Sequence, residues 1–373
     1  MTPWADVIVV GGGIVGAAAA RALERAGRRV LLVERGSRGG EATDASAGML
    51  AAQVEAHAGD PLLPLALCGR DAYRRLFAEL PLEVAHRIGY HPSGILQVAL
   101  DDAEAAALAA QGDAQRGLGL RAEWLDGPEL ARRHPGVAPC ARGALLTPDD
   151  GYVHASALAA ALRALAYTEG ATIVTAEATH VLTRTGRVTG VRTTAGSWRC
   201  RWALIAAGAW SPLLAGLPRP LPVEPVRGQM LLVDAPAGWN PQVLFRPGGY
   251  VVPREGRVAL GATMEHAGYD AAPTPEGLAA VRAACAEMVP ALAGAPARAA
   301  WAGLRPMTPD GLPILGHDPD VEGLLYGTGH GRNGILLGPL TGEILRDLVM
   351  RGETAADLGP YSIGRFRKLS AVR

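Results

Sequence analysis

Apolar residues run without a break from Val7 to Val10, directly after Asp6, and stop at three consecutive glycines, Gly11 to Gly13. A β-branched run with no polar alternation predicts a strand buried on both faces. The alanine-rich stretch from Ile14 to Ala26 then predicts a helix, and Gly27 is the residue type that ends one. Arg29 to Val33 leads into a second apolar strand that closes on Glu34. Together these make a β-α-β unit with parallel strands. A second sheet-like block covers Ala171 to Ala207, with turn glycines Gly186, Gly190 and Gly196, and its run Trp202 to Ala207 reads as another buried strand. A helix over Ser156 to Tyr167 precedes it, entered through a polar turn at Asp149, Asp150 and Gly151.

The middle of the chain reads differently. Residues 76–145 mix helical and extended pieces with prolines, and residues 220–304 alternate short strands before an alanine-rich helix from about Pro275 to Met288. Pro218, Pro220, Pro222 and Pro225 fit a crossover between two layers. The last block returns to a glycine-rich loop and a helix, on which Ile335, Leu336, Leu340, Ile344, Leu345 and Leu348 share one face. Pro339 blurs where that helix begins, because proline is tolerated in a first turn and disrupts an interior one. No internal repeat is visible.

Composition narrows the classes. At 373 residues with 49% hydrophobic and 19% charged positions, the chain can build a sizeable core, and two domains are the prior. Lys+Arg and Asp+Glu are both 36, so no global basic field exists to attract nucleic acid. The cysteines, Cys68, Cys140, Cys200 and Cys285, are widely spaced and the histidines show no ligand spacing, so neither a disulfide framework nor a metal site is expected. Val7 to Ala20 is uncharged, but it is too short to span a bilayer and lacks a basic leader. A soluble cytoplasmic protein without a membrane partner is the expectation.

The chemistry starts at Gly11-Gly12-Gly13-Ile14-Val15-Gly16, a GxGxxG pattern between strand and helix. Gly11 permits the tight turn, Gly13 lets a pyrophosphate approach the backbone, and Gly16 lets helix and strand pack closely. The helix N-terminus would face the phosphates with unpaired N–H groups. Glu34, at the end of the second strand, would accept hydrogen bonds from ribose hydroxyls. Two further segments fit a flat ring system: the small and hydroxylated loop from Glu41 to Leu50, and Gly327 to Leu337, where a helix start could stabilise negative charge.

On these residues the chain resembles the D-amino-acid-oxidase-type FAD oxidoreductases, and within them most closely the glycine-oxidising branch of thiamine biosynthesis. The matching stretches are GGGIVG, the ATDASAGML loop with Glu55 behind it, GGYVVPR, VALGATM, WAGLRPMTPDG and GHGRNGILLGP, and they cover nearly the whole length. The resemblance implies an α/β fold. A discontinuous Rossmann-type FAD-binding domain (1–75, 146–218 and 305–373) would carry an inserted α+β substrate-binding domain (76–145 and 219–304) on an antiparallel sheet.

It also implies roles. Ile14, Val15, Glu34 and Arg35 fall near the pyrophosphate and adenosine, with Thr179 near the adenine. Ala42, Thr43, Ala47, Gly48 and Met49 fall under the flavin, and His330, Gly331, Arg332, Asn333, Gly334, Ile335 and Leu336 along its pyrimidine edge. Arg305 matches a carboxylate-binding arginine and Tyr250 a tyrosine that helps it, with Arg332 beside substrate and flavin and Met49 and Met264 as pocket walls. Glu55 matches a structural or gating position. The implied reaction is hydride transfer from glycine, or another small amine such as sarcosine or a small D-amino acid, to flavin N5. O2 would be reduced to H2O2, and the imine would give glyoxylate or pass to thiazole synthase. No cysteine follows Cys285, so FAD is expected to be non-covalent, and Lys368, the only lysine, lies in the tail. A homo-oligomer is implied. The alternatives are a D-amino acid dehydrogenase that passes electrons to a quinone, and a non-catalytic FAD-binding protein.

Overall fold

The computed structural model describes residues 4–36, 41–54 and 59–366. Strand Trp4–Val10, helix Ile14–Arg25 and strand Val30–Glu34 form the expected unit, and Gly27 follows the helix with φ +79°. The two strands pair in parallel, Val7 with Val30 and Val10 with Val33. They lie inside one eight-stranded sheet whose parallel centre also contains Thr172–Thr175, Gly196–Ile205 and Leu324–Thr328. The sheet-like block from Ala171 to Ala207 therefore shares this sheet. It does so because Gly196–Ile205 is long enough to pair with Trp4–Val10 on one side and with Arg187–Thr193 on the other.

Burial on both faces explains the uninterrupted apolar runs. Val7 and Val9 pack against helices Ile14–Arg25, Leu62–Glu79, Ala155–Thr168 and Gly334–Arg351, whereas Ile8 and Val10 pack on the opposite side with Val181, Val191 and Leu214. The helix predicted over Ser156 to Tyr167 is Ala155–Thr168, but the turn before it is not a solvated one. Asp150 is fully buried and Gly151 begins the strand Gly151–Val153, because Gln53 and Arg70 supply polar partners inside.

A second eight-stranded sheet draws its strands from Ile95–Ala99, Glu123–Asp126 and Gly143–Thr147, and from Glu224–Asp234 through Ala297–Met307. It is antiparallel except where Val243–Arg246 runs parallel to Ile95–Ala99. Helix Pro275–Met288 covers one face. The other face, with Met230, Val252 and Ala259, packs against Ala47, Ala51 and Val54 of the loop region that follows Glu34. The limits expected at 145 and 304 fall inside strands, because Gly143–Thr147 and Ala297–Met307 each pair along their length. Among the described residues no helix is long and apolar enough to cross a membrane.

Candidate active site

The two sheets enclose a cavity of about 880 Å³. That is near the upper end of the usual range for small-molecule sites and suits a large cofactor with a small substrate. Its walls start at the glycine loop. Gly11 has φ +101°, and a side chain there would strike the backbone of Ala206 and Ala207. Gly16 does not line the cavity, since a Cβ there would collide with the carbonyl oxygen of Gly11. It serves the close packing expected of it.

Helix Ile14–Arg25 begins at Gly13 without a side-chain cap from that residue, so first-turn amides beyond that of Ile14 can serve an anion. The loop itself is braced from three sides. Glu34 accepts from the Gly12 N–H and, at 3.0 Å, from the Gly36 N–H. Thr43 Oγ1 accepts from the Ile14 N–H at 3.1 Å. Arg163, which the sequence did not single out, donates to the Gly12 carbonyl at 2.6 Å. Glu34 thus already holds two backbone amides, and lone pairs left on its carboxylate would serve a ribose.

Arg35 lines the cavity, pairs with Glu41 at 3.1 Å and lies 3.9 Å over the Trp210 ring. Ala42, Thr43, Ala47 and Met49 also line it, held by Trp301 Nε1 donating to Ala45 O at 3.0 Å and Arg254 donating to Ala47 O at 2.6 Å. Gly48 does not. Its φ is +77° and its Cα lies against the Val153 carbonyl, which makes it a packing position. Thr179 is at the wall, but its carbonyl accepts from Ala215 N and its hydroxyl donates to Arg192 O, so its backbone oxygen is already engaged.

The final helix, Gly334–Arg351, also points an uncapped N-terminus at the cavity. His330, Gly331, Arg332, Asn333, Gly334 and Ile335 line the wall; Leu336 is instead buried in the helix-side core. Pro339 is the sixth residue of this helix, so it lies beyond the first turn. It leaves the Ile335 carbonyl without its usual amide partner, and the buried Tyr73 hydroxyl donates to that carbonyl at 2.6 Å. His330 is buried, with Nε2 3.0 Å from Thr341 Oγ1, and burial pushes its pKa down to about 4. It stands neutral at neutral pH.

The second sheet supplies the remaining wall. Arg305 faces the cavity and donates from Nη1 to the Thr263 carbonyl at 3.0 Å. Among the described residues it has no carboxylate partner, unlike Arg227 nearby, which holds both Glu265 and Asp270. Tyr250 lines the same wall, its hydroxyl 3.3 Å from Met230 Sδ. Met49 is half-buried, Arg332 is exposed, and Met264 is 52% exposed at the rim. Glu55 and Lys368 lie outside the described residues.

Three strand glycines leave room for the side chains of this wall. A side chain at Gly228 would occupy the Arg305 guanidinium, one at Gly261 would strike Tyr250 and Met230, and one at Gly303 would strike Ala45. Glycine inside a strand marks a close approach, and this was the available signal. The cavity therefore joins two open helix starts, which suit the phosphates and an electron-rich ring of a dinucleotide, to an unneutralised guanidinium, which suits a carboxylate.

Comparison with known proteins supports this pairing. Residues 6–348 match a family described as FAD dependent oxidoreductase. The chain is 39% identical to a glycine oxidase from Geobacillus kaustophilus over 98% of each chain. It is 34% identical to a bifunctional protein ThiO/ThiG from Synechocystis sp., over 98% of this chain and 55% of that one. The crystal structure of glycine oxidase from Geobacillus kaustophilus superposes with a TM-score of 0.91 at 37% identity, covering 97% of this chain and 99% of that one.

Proposed function

We propose a reaction from the premise that this chain belongs to the FAD-dependent oxidoreductase family: the oxidation of glycine, and of other small amines such as sarcosine or small D-amino acids. FAD, the cofactor of the family, would be held non-covalently by the loop Gly11 to Val15, by Glu34 and Arg35, by Ala42 to Met49 and by His330 to Ile335. When bound it supplies a two-electron acceptor. The first sheet and its helices serve the cofactor, and the second sheet serves the substrate.

The observation that carries the reading is Arg305, a guanidinium facing the cavity with no carboxylate partner among the described residues. A planar fork of N–H donors can take a substrate carboxylate with two parallel hydrogen bonds. Tyr250 stands on the same wall to add a third. Anchoring the carboxylate orients the α-carbon and its amine, and orientation is the protein's main contribution to such chemistry. The α-carbon loses a hydride and the nitrogen a proton, leaving an imine. Water converts that imine to glyoxylate and ammonia, or thiazole synthesis consumes it, as the fused ThiO/ThiG relative suggests. The electrons pass to O2 to give H2O2.

Anaerobic mixing of the holoprotein with glycine, sarcosine, D-alanine and D-proline tests the reading. Loss of the oxidised flavin band with glycine is the expected result. Bleaching by none of the four would refute the substrate and leave the family membership standing. Readmitting O2 with a peroxidase-coupled dye should return the band and yield H2O2. Slow return without peroxide would assign another acceptor.

A further inference from the structure

We propose that Glu265, together with Thr263 and Gln229, is a positioning group for Arg305, acting from the reverse side of the strand on which the guanidinium rests. The proposal relies on the assignment of Arg305 as the carboxylate anchor. A Cβ at Gly228 would meet the Arg305 guanidinium, so that side chain lies over the Gly228 backbone. Arg227 and Gln229 flank Gly228 in strand Glu224–Asp234, so their side chains project to the opposite face. Both are buried, Gln229 completely.

On that face they build a polar cluster. Arg227 Nε donates to Glu265 Oε2 at 2.7 Å, and Arg227 also holds Asp270 at 2.9 Å. Gln229 Nε2 donates to the two Glu265 oxygens at 2.9 and 3.1 Å, while Gln229 Oε1 accepts from Thr274 N at 2.7 Å. The backbones of Arg227 and Glu265 exchange reciprocal hydrogen bonds of 2.8 and 3.0 Å. Gly277 is a glycine because the Gln229 amide fills the space its side chain would need.

Thr263 connects this cluster to the cavity. Its hydroxyl accepts from Gln229 N at 3.0 Å, and the same Gln229 holds the Glu265 carboxylate through Nε2 at 2.9 Å. The Thr263 carbonyl accepts from Arg305 Nη1 at 3.0 Å. The residue that orients the guanidinium is thus tied through Gln229 to a carboxylate on the far side of the strand. The arrangement also solves a charge problem. Arg305 is oriented by a neutral carbonyl and keeps its charge for a ligand, while the nearby carboxylate is neutralised by Arg227.

The test uses acetate, a carboxylate without an amine, titrated into the oxidised holoenzyme and read from the flavin absorption band. Glu265→Ala should weaken acetate binding about tenfold, equivalent to about 1.4 kcal/mol, and raise the glycine KM by a similar factor while kcat and FAD affinity hold. Glu265→Gln, which still accepts from Gln229 Nε2, should recover most of the loss. Thr263→Val cuts the same link without leaving a charge unpaired, so it tests the proposal even if Glu265→Ala fails to fold. Arg305→Ala runs alongside. If it weakens acetate binding while Glu265→Ala and Thr263→Val bind acetate normally and only melt earlier, the cluster is structural and the proposal is overturned. If Arg305→Ala itself binds acetate normally, the anchor assignment fails and the proposal falls with it.

Discussion

His330 combines burial with a hydrogen bond between its ring and the Thr341 hydroxyl, and its pKa of about 4 follows from that burial. The unfolded chain takes up a proton near pH 6.5 that the folded chain refuses until about pH 4. The unfolded state therefore binds more protons in that window, and stability falls as pH is lowered through it, by about 3 kcal/mol at most. Urea unfolding from pH 7 to pH 4 should show the gap between the native chain and His330→Asn narrowing as the pH drops. A constant gap would contradict the assignment. Position in the GHGRNG motif marked His330 as a cavity residue, but nothing local marks it as neutral, because its charge state depends on the helix and strands packed round it. The same holds for Arg305. A guanidinium in LRPM reads equally as a surface cation until its neighbours are known, and its orientation depends on Gly228 in the neighbouring strand and on Thr263 just after strand Arg257–Gly261.

The β-α-β unit was the most legible element, since the signals for its strands, helix and turn all lie within about thirty consecutive residues and agree with one another. Gly16 tests how closely helix Ile14–Arg25 must lie on its strand. Gly16→Ala should push the helix off the Gly11 carbonyl, destabilise the chain by about 3 kcal/mol and lower the flavin retained per protein after gel filtration. Full retention with unchanged urea stability would show that the contact can relax. The final helix was less legible. Its apolar face is evident from spacing, but Pro339 sits beyond the first turn because Tyr73, from a helix more than two hundred residues earlier, satisfies the Ile335 carbonyl. The strand glycines Gly228, Gly261 and Gly303 carry a visible signal of close approach, yet what approaches each one comes from elsewhere in the chain.

Across the whole molecule, a buried cluster ties together the segments on which the cavity depends. Gln53 N donates to Asp150 Oδ2 at 3.0 Å, Arg70 donates to Gln53 Oε1 at 2.6 Å, and Gln53 Nε2 reaches Gln115 Oε1 at 3.1 Å on helix Asp102–Gly117. Arg70 lies 3.4 Å from Asp150, whose pKa burial pushes up to about 6. Removing one partner of a buried ion pair strands the other charge, so Asp150→Leu should cost about 3–5 kcal/mol in urea unfolding and loosen flavin binding through Met49 and Ala51. A loss below about 1 kcal/mol, the range of exposed pairs, would place the cluster in contact with water. The sequence read Asp150 as part of a polar turn, because an aspartate beside aspartate and glycine is locally a turn signal. Its burial arises only when Gln53, Arg70 and Gln115 converge. Fold class, glycine loop and cavity-lining segments could be read from the chain alone, since each depends on local periodicity or on a contiguous motif. The joining of the 171–207 block to the sheet of the β-α-β unit, the charge states of His330 and Asp150, and the support behind Arg305 arose only on folding, because each is a sum over neighbours distant in sequence and close in space.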